Sequence, residues 1–334
     1  MQAIVIERGG PPEVLEIKSH PDPQAGQGQA VVRLRAAALN HRDVWQRKGY
    51  AGEGPMILGS DGAGVVEAVG PGGDSAWVGQ EVVINPGLFW GPREEAPGPG
   101  FQILGNPTPG TYAEAIVVPE ENLVAKPPHL GFADAAALPL AGLTAWRGIF
   151  TQGRLRPGET LLLPGIGSGV SGLALRFAKL AGARVIVTSS SKDKLDKALA
   201  AGADAAVNYG QSGWEDAVRD HAGPDGIDLV LDHSGEKTIP VNLKLVRPGG
   251  RVVCLGVTTG TELRYNIREL FYSQVHLIGT TMGSPREFGA LFRFIHHHRF
   301  TPEVHHRMPL AQAPEAHRLM EEGGQFGKIV LEIA

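Results

Sequence analysis

The sequence predicts an α/β protein in which a doubly wound parallel sheet follows a β-rich domain. Three observations predict it. From Gly131 onward, apolar runs of strand length alternate with helical patterns. One of those runs, Leu161 to Leu163, leads into a glycine cluster and then an amphipathic stretch. Before them, residues 1–125 carry short apolar runs separated by proline and glycine clusters. A chain of 334 residues, 42% hydrophobic and 20% charged, has the size for two domains and the composition of an ordered globular protein. The net charge of -4 offers no general attraction for nucleic acid or an anionic membrane. No apolar run approaches the roughly 18 residues of a spanning helix, and Met1-Gln2-Ala3-Ile4-Val5-Ile6 lacks the basic region of a signal peptide, so a cytoplasmic location is expected. The single cysteine, Cys254, lies among Val252, Val253 and Leu255 and reads as a packed strand thiol; it excludes an intrachain disulfide and any site needing several thiolates.

In the β-rich part, the clearest strands are Ala30 to Leu39, Gly64 to Val69, Glu81 to Ile84 and Tyr112 to Val118. Between the first two, Asn40 to Gly49 reads as a polar cap and a short helix. Residues 86–109 are rich in proline and glycine and read as an irregular surface loop. The parallel sheet is expected to use Leu161–Leu163, Val185–Thr188, Ala206–Asn208, Leu229–Asp232, Arg251–Gly256 and His276–Thr280. Residues 285–334 give two helical stretches and a last strand from Lys328 to Leu331.

Function is most legible from Thr160 to Lys179. Val170, Leu173, Ala174, Phe177 and Ala178 share one helical face, and Gly182 stops the helix. Gly167, Gly169 and Gly172 satisfy G-x-G-x-x-G between strand and helix, so peptide N–H groups around Ser168 and Val170 could approach a pyrophosphate. A reading begun at Gly165 instead puts Val170 in the last glycine position; either register turns the same loop toward the phosphates. A parallel sheet binds its ligand beyond the carboxyl ends of its strands, which brings in Thr188 to Ser191, Asp232 to Gly235 and Leu255 to Thr258, with Ser189, Ser190, Ser234 and Gly256 as contacts. Selection of NAD usually places a carboxylate about 20 residues past the glycines, yet no acidic residue occurs from Thr160 to Lys192. Thr188-Ser189-Ser190-Ser191-Lys192-Asp193-Lys194 offers hydroxyls and cations suited to a 2′-phosphate, which points to NADPH; the plainer alternative is that Ser191 caps the next helix and the lysines are solvated.

Taken together, Ala38 to Trp45, Leu58 to Val66, Ala141 to Trp146, the glycine turn, Arg247-Pro248-Gly249-Gly250-Arg251 and Phe326 to Leu331 resemble the medium-chain dehydrogenase/reductase superfamily, in its zinc-independent quinone oxidoreductase-like branch. The resemblance implies a GroES-like barrel over residues 1–125, completed by residues 282–334, a Rossmann domain over residues 126–281, and a nicotinamide held between them. It places Asn40 and Trp45 beside nicotinamide and substrate, as the catalytic candidates. His41, Thr144, Lys194, Tyr209, Gly327 and Lys328 are its further cofactor contacts, Lys194 and Tyr209 at the 2′-phosphate. An arginine of some relatives corresponds to Gly323. A homodimer is implied, with the strand His276 to Thr280 pairing with its symmetry mate.

The zinc alcohol dehydrogenases of that superfamily carry a cysteine where this chain has Asn40 and a His-Glu pair where it has Ser60-Asp61; Leu88 to Glu95 has none of the cysteines of their structural zinc lobe. No metal is expected, since amide and hydroxyl oxygens are poor zinc ligands. Without a Lewis acid, hydride transfer to a quinone or α,β-unsaturated carbonyl is favoured over alcohol oxidation, because the charge produced is delocalised. An enoyl-thioester reductase, a zinc-free alcohol dehydrogenase-like enzyme and a non-catalytic NADPH-binding protein are the alternatives, the last because no dedicated acid stands out. Asp43 and Asp61 read as buried structural partners, and His296-His297-His298 as a solvated helix end.

Overall fold

The strand Gln29–Ala38 buries Ala30, Val32, Leu34 and Ala37 and is the spine of a seven-stranded sheet. One of its edges pairs with Asp61–Val69. Its other edge pairs first with Ala115–Pro119 and then, from Ala36 to Ala38, with Lys328–Glu332; all three pairings are antiparallel. Glu81–Ile84 and Leu123–Ala125 continue the sheet beyond Asp61–Val69, and Val304–Pro309 pairs in parallel with Lys328–Glu332. The carboxyl-terminal strand is thereby a structural part of the amino-terminal sheet, and Lys328 starts beside Leu39, whose N–H donates to the Ile329 carbonyl at 3.0 Å. The expected strands are all present, and Gln2–Ile6, Glu16–Ser19, Met56–Ile57, Leu123–Ala125 and Val304–Pro309 are added, together with Gly87–Leu88 and Gln102–Ile103, which pair with each other inside the stretch expected to be irregular.

This computed structural model describes residues 1–52 and 54–334. Contacts divide the chain into two units, Met1–Leu143 with Gly283–Ala334, and Thr144–Met282. The first boundary falls later than the expected 125/126. Helix Phe132–Ala136 explains this: it packs against Gln29–Ala38, Asp61–Val69 and Lys328–Glu332, and Ala133, Ala135 and Ala136 are buried there.

The second unit is a six-stranded parallel sheet, its strands numbered in chain order β1 (Thr160–Leu163), β2 (Arg184–Ser189), β3 (Ala205–Asn208), β4 (Ile227–Asp232), β5 (Val246–Cys254) and β6 (His276–Gly279). The spatial order is β3-β2-β1-β4-β5-β6. That is the Rossmann order, which reverses direction between β1 and β4 and leaves a crevice at their carboxyl ends. Helix Gly169–Leu180 buries Leu173, Ala174, Phe177 and Ala178, the face foreseen from their spacing. His296, His297 and His298 lie exposed at the end of helix Pro285–His297, whereas His305 and His306 belong to strand Val304–Pro309. Among the described residues, no helix is long and apolar enough to cross a membrane.

Candidate active site

In the parallel-sheet unit, the turn leaving β1 demands glycine at two positions. Gly165 has φ +68° and Gly167 φ +130°, both in the left-handed region that a side chain strains. A Cβ on Gly167 would stand 2.8 Å from Lys194 Cδ and 3.3 Å from its Nζ. By contrast, Gly169 is the first residue of the helix and a Cβ on Gly172 would meet nothing within 4 Å. The conformational requirement therefore follows the register begun at Gly165, with Val170 third, and not the register Gly167-Gly169-Gly172. Ser168 caps the helix, its Oγ accepting from Ser171 N–H.

The ends of the neighbouring strands close around this turn. Ile166 N–H donates to the Thr188 carbonyl of β2 at 2.8 Å. After β4, the buried Asp232 carboxylate accepts from Ser234 N–H, Gly235 N–H and the Asn242 amide at 2.6 to 2.8 Å, so this turn is held rigidly. His233 Nε2 lies 3.3 Å from the Gly165 carbonyl, across the crevice. A Cβ on Gly256 would fall 2.3 Å from the His233 carbonyl, so only glycine lets β5 leave this close to the β4 turn. Together the strand ends enclose a cavity of about 260 Å³, lined by Gly165, Thr188, Tyr209, Ser234 and Lys237 among others. Neither Lys237, which lines this cavity, nor the nearby His233 carries a sequence signal of its own beyond its place after β4. Ser191 caps the helix after β2, as the plainer reading of that stretch anticipated, while Lys192 pairs with Asp196 and Lys197 with Asp193. Lys194 differs, since it leans over Gly167. Ser189 is buried, Ser190 exposed, and Thr144 is buried at the start of this unit.

The barrel unit holds a second cluster, built from side chains. Asn40 N-caps helix His41–Gly49, its N–H donating to Asp43 Oδ2 at 2.8 Å. The Asn40 amide nitrogen donates to Asp61 Oδ2 at 2.9 Å and to Ser60 Oγ at 3.3 Å, and Ser60 donates in turn to Asp43 Oδ1 at 3.4 Å. Lys328, expected at the cofactor, is 3% exposed; its Nζ donates to the Leu39 carbonyl, Asn40 Oδ1 and Asp61 Oδ2 at 2.7, 2.7 and 2.9 Å. Asp61 Oδ1 accepts from Leu140 N–H, and Tyr112 donates its hydroxyl to Asp43. Burial lifts the Asp43 carboxyl to about 6, only partly opposed by Arg42, and lifts the Tyr112 hydroxyl well above its usual value, with the Asp43 carboxylate adding to the effect. Trp45 is half exposed, with the exposed His41 ring 6.5 Å away. Gly327 has φ +100° and abuts the Glu303 carbonyl, so its glycine is required by the backbone entering the last strand.

Two family descriptions match this chain: an alcohol dehydrogenase GroES-like domain over residues 26–128 and a zinc-binding dehydrogenase domain over residues 169–297. A zinc-type alcohol dehydrogenase-like protein, YogA, of Leptosphaeria maculans is 34% identical, over 96% of this chain and 95% of that one. This chain belongs to the medium-chain dehydrogenase/reductase superfamily. A quinone oxidoreductase of Pseudomonas aeruginosa is 32% identical over 96% of both chains. The crystal structure of an NAD-dependent alcohol dehydrogenase superposes with a TM-score of 0.94 at 45% identity, covering both chains completely. The chain is thus an oxidoreductase of a family that uses a nicotinamide cofactor, and the glycine turn, helix cap and cavity fit the dinucleotide. Zinc does not fit. The positions that ligate it in the zinc enzymes here present an amide, a hydroxyl and a carboxylate, and the Lys328 ammonium engages two of the three.

Proposed function

We propose that this protein is an NADPH-dependent reductase of quinones or α,β-unsaturated carbonyls that works without zinc. The observation that carries the cofactor assignment is Lys194, a cation leaning over Gly167 beside a β2 terminus that has hydroxyls and no carboxylate. In this reading the glycine turn and the helix start at Gly169 hold the pyrophosphate, and Lys194 with Tyr209 holds the 2′-phosphate. When bound, the nicotinamide would supply hydride, and the proton that completes the reduction would come from water. In the barrel unit, the Asn40 hydrogen held only by the longer contact to Ser60 is assigned to the acceptor oxygen as charge develops there. A delocalised enolate or semiquinone-like charge needs less stabilisation than a localised alkoxide, so donors of this kind suffice. Likeness to a quinone oxidoreductase supports the acceptor class, and likeness to a crotonyl-CoA carboxylase/reductase of Cereibacter sphaeroides, 30% identical over 95% of this chain and 83% of that one, supports an activated double bond.

A second reading, NAD use, is favoured by likeness to the NAD-dependent alcohol dehydrogenase structure at 45% identity. Fluorescence titration with NADPH and NADH, followed by a rate screen over quinones, enones, enoyl thioesters, aldehydes and alcohols, separates the readings. Tighter NADPH binding with quinone or enone turnover supports the first; tighter NADH binding with alcohol oxidation supports the second. Binding without turnover across the screen supports a non-catalytic NADPH-binding protein.

We further propose a homodimer formed through β6. Its outer edge has no partner strand among the described residues, and Leu277 on it and Phe271 and Tyr272 of helix Ile267–Ser273 are 40%, 59% and 69% exposed. The mass in solution at micromolar concentration is expected to be twice that of the chain; a monomer would remove this element.

A further inference from the structure

The cluster around Asn40 has a direction, and Lys328 sets it. An ammonium can only donate and an ionised carboxylate can only accept. Asn40 stands between the two, so its carbonyl oxygen must face Lys328 and its NH2 must face Asp61; the flipped amide would set donor against donor and acceptor against acceptor. The same logic runs onward. Asn40 donates to Ser60, which leaves the Ser60 hydroxyl free to donate to Asp43. Each hydrogen bond from Lys328 through Asn40 and Ser60 to Asp43 therefore points the same way. The ammonium is also saturated: three N–H groups meet three acceptors at 2.7 to 2.9 Å. Asp61 is fully buried, and Lys328 is the cation that touches it.

We propose that Lys328 is a positioning residue, a resident cation that neutralises Asp61 and fixes the amide plane of Asn40, at ligand positions where metal-dependent members of the superfamily coordinate zinc. This rests on the reductase reading for its catalytic consequence but not for its structural one. Removing the ammonium leaves a buried carboxylate without its counter-ion and the Asn40 carbonyl oxygen without its donor, so that Asp61 and Ser60 alone hold the amide plane. The loss of a charge-assisted hydrogen bond corresponds to roughly ten- to a hundred-fold in the step that depends on it.

The test is chemical rescue of Lys328→Ala by propylammonium, the fragment that substitution removes. The expected result is a fall in turnover of about ten- to a hundred-fold, with NADPH affinity unchanged and turnover partly restored by propylammonium but not by tetramethylammonium, which has no N–H. Propylammonium should also raise the thermal midpoint of the variant and leave that of the wild type alone. Lys328→Gln, which keeps bulk without charge, should show the same split between turnover and cofactor affinity if the Ala variant does not accumulate. Wild-type turnover in Lys328→Gln, parallel loss of cofactor affinity, no thermal response to propylammonium, or rescue by zinc would each overturn the proposal. If the wild type reduces no acceptor at all, the reductase reading fails while the thermal response still decides the role of Lys328.

Discussion

The glycine turn and the Asn40 cluster are built by opposite means. The turn after β1 is made of backbone: two left-handed glycines, a capped helix start and strand ends that enclose about 260 Å³. The Asn40 cluster is made of side chains brought from far apart in sequence, Asn40, Ser60, Asp61, Tyr112 and Lys328, each of them buried. Backbone donors need only the right conformation, so their identity survives substitution and their failure is conformational. A buried polar network needs every member, because each group removed strands another away from water. Substitutions in the two regions should therefore fail differently.

The largest effect belongs to the network. Asn40→Ala removes a donor to Asp61 and an acceptor for Lys328, and is expected to lower turnover about 100- to 1000-fold, the scale of an oxyanion donor, while NADPH affinity in a fluorescence titration stays near the wild-type value. A change confined to cofactor affinity would erase the distinction between the regions. In the turn, Gly167→Ala combines a φ of +130° with the Lys194 side chain and should weaken NADPH and NADH together, by about 1 to 3 kcal/mol, whereas Gly172→Ala should change neither. Equal effects at the two glycines would restore the Gly167-Gly169-Gly172 register. Lys194→Ala should weaken NADPH by roughly 1.5 to 3 kcal/mol and leave NADH unchanged; equal losses would assign Lys194 to the shared part of the dinucleotide.

A prediction on stability rather than on binding is a dependence on pH in the barrel interior. His317 is fully buried beside Tyr112, with both ring nitrogens lacking hydrogen-bond partners, and burial with the nearby Arg47 lowers it from 6.5 to about 3. Between those values the unfolded chain takes up a proton that the folded protein refuses, so stability is full above 6.5 and lost as pH falls toward 3, at a limiting slope of about 1.4 kcal/mol per pH unit. Asp43, raised from 3.8 to about 6, acts with the opposite sign: its contribution is present below 3.8 and lost as pH rises through 6. The difference in unfolding free energy between wild type and His317→Leu isolates the histidine. It should move in favour of the variant as pH falls from 6.5 to 4; a constant difference would show that His317 takes up its proton without cost.

What was legible in the sequence divides along the same line. All six parallel strands and the helix after the glycines are visible, because local periodicity and glycine punctuation encode them. The register of the turn was not decided, since Gly165 and Gly169 look alike as letters and differ only in φ. The partnership of Asn40 with Lys328 spans 288 residues and depends on the last strand pairing with Gln29–Ala38, which no local pattern shows. Nothing local distinguishes His317 from a solvated helical histidine, since its burial comes from packing beside Tyr112, and the first unit extends to Leu143 because a short alanine-rich helix packs on its sheet.

The most direct test of the account is the rate of NADPH oxidation by a quinone, an enone and a saturated aldehyde, measured on untagged protein after chelator treatment and metal analysis. The account predicts quinone or enone reduction well above aldehyde reduction, unchanged by the chelator, with zinc far below one per chain. Near-stoichiometric zinc with activity lost on chelation, or aldehyde reduction as fast as the quinone reaction, would contradict it.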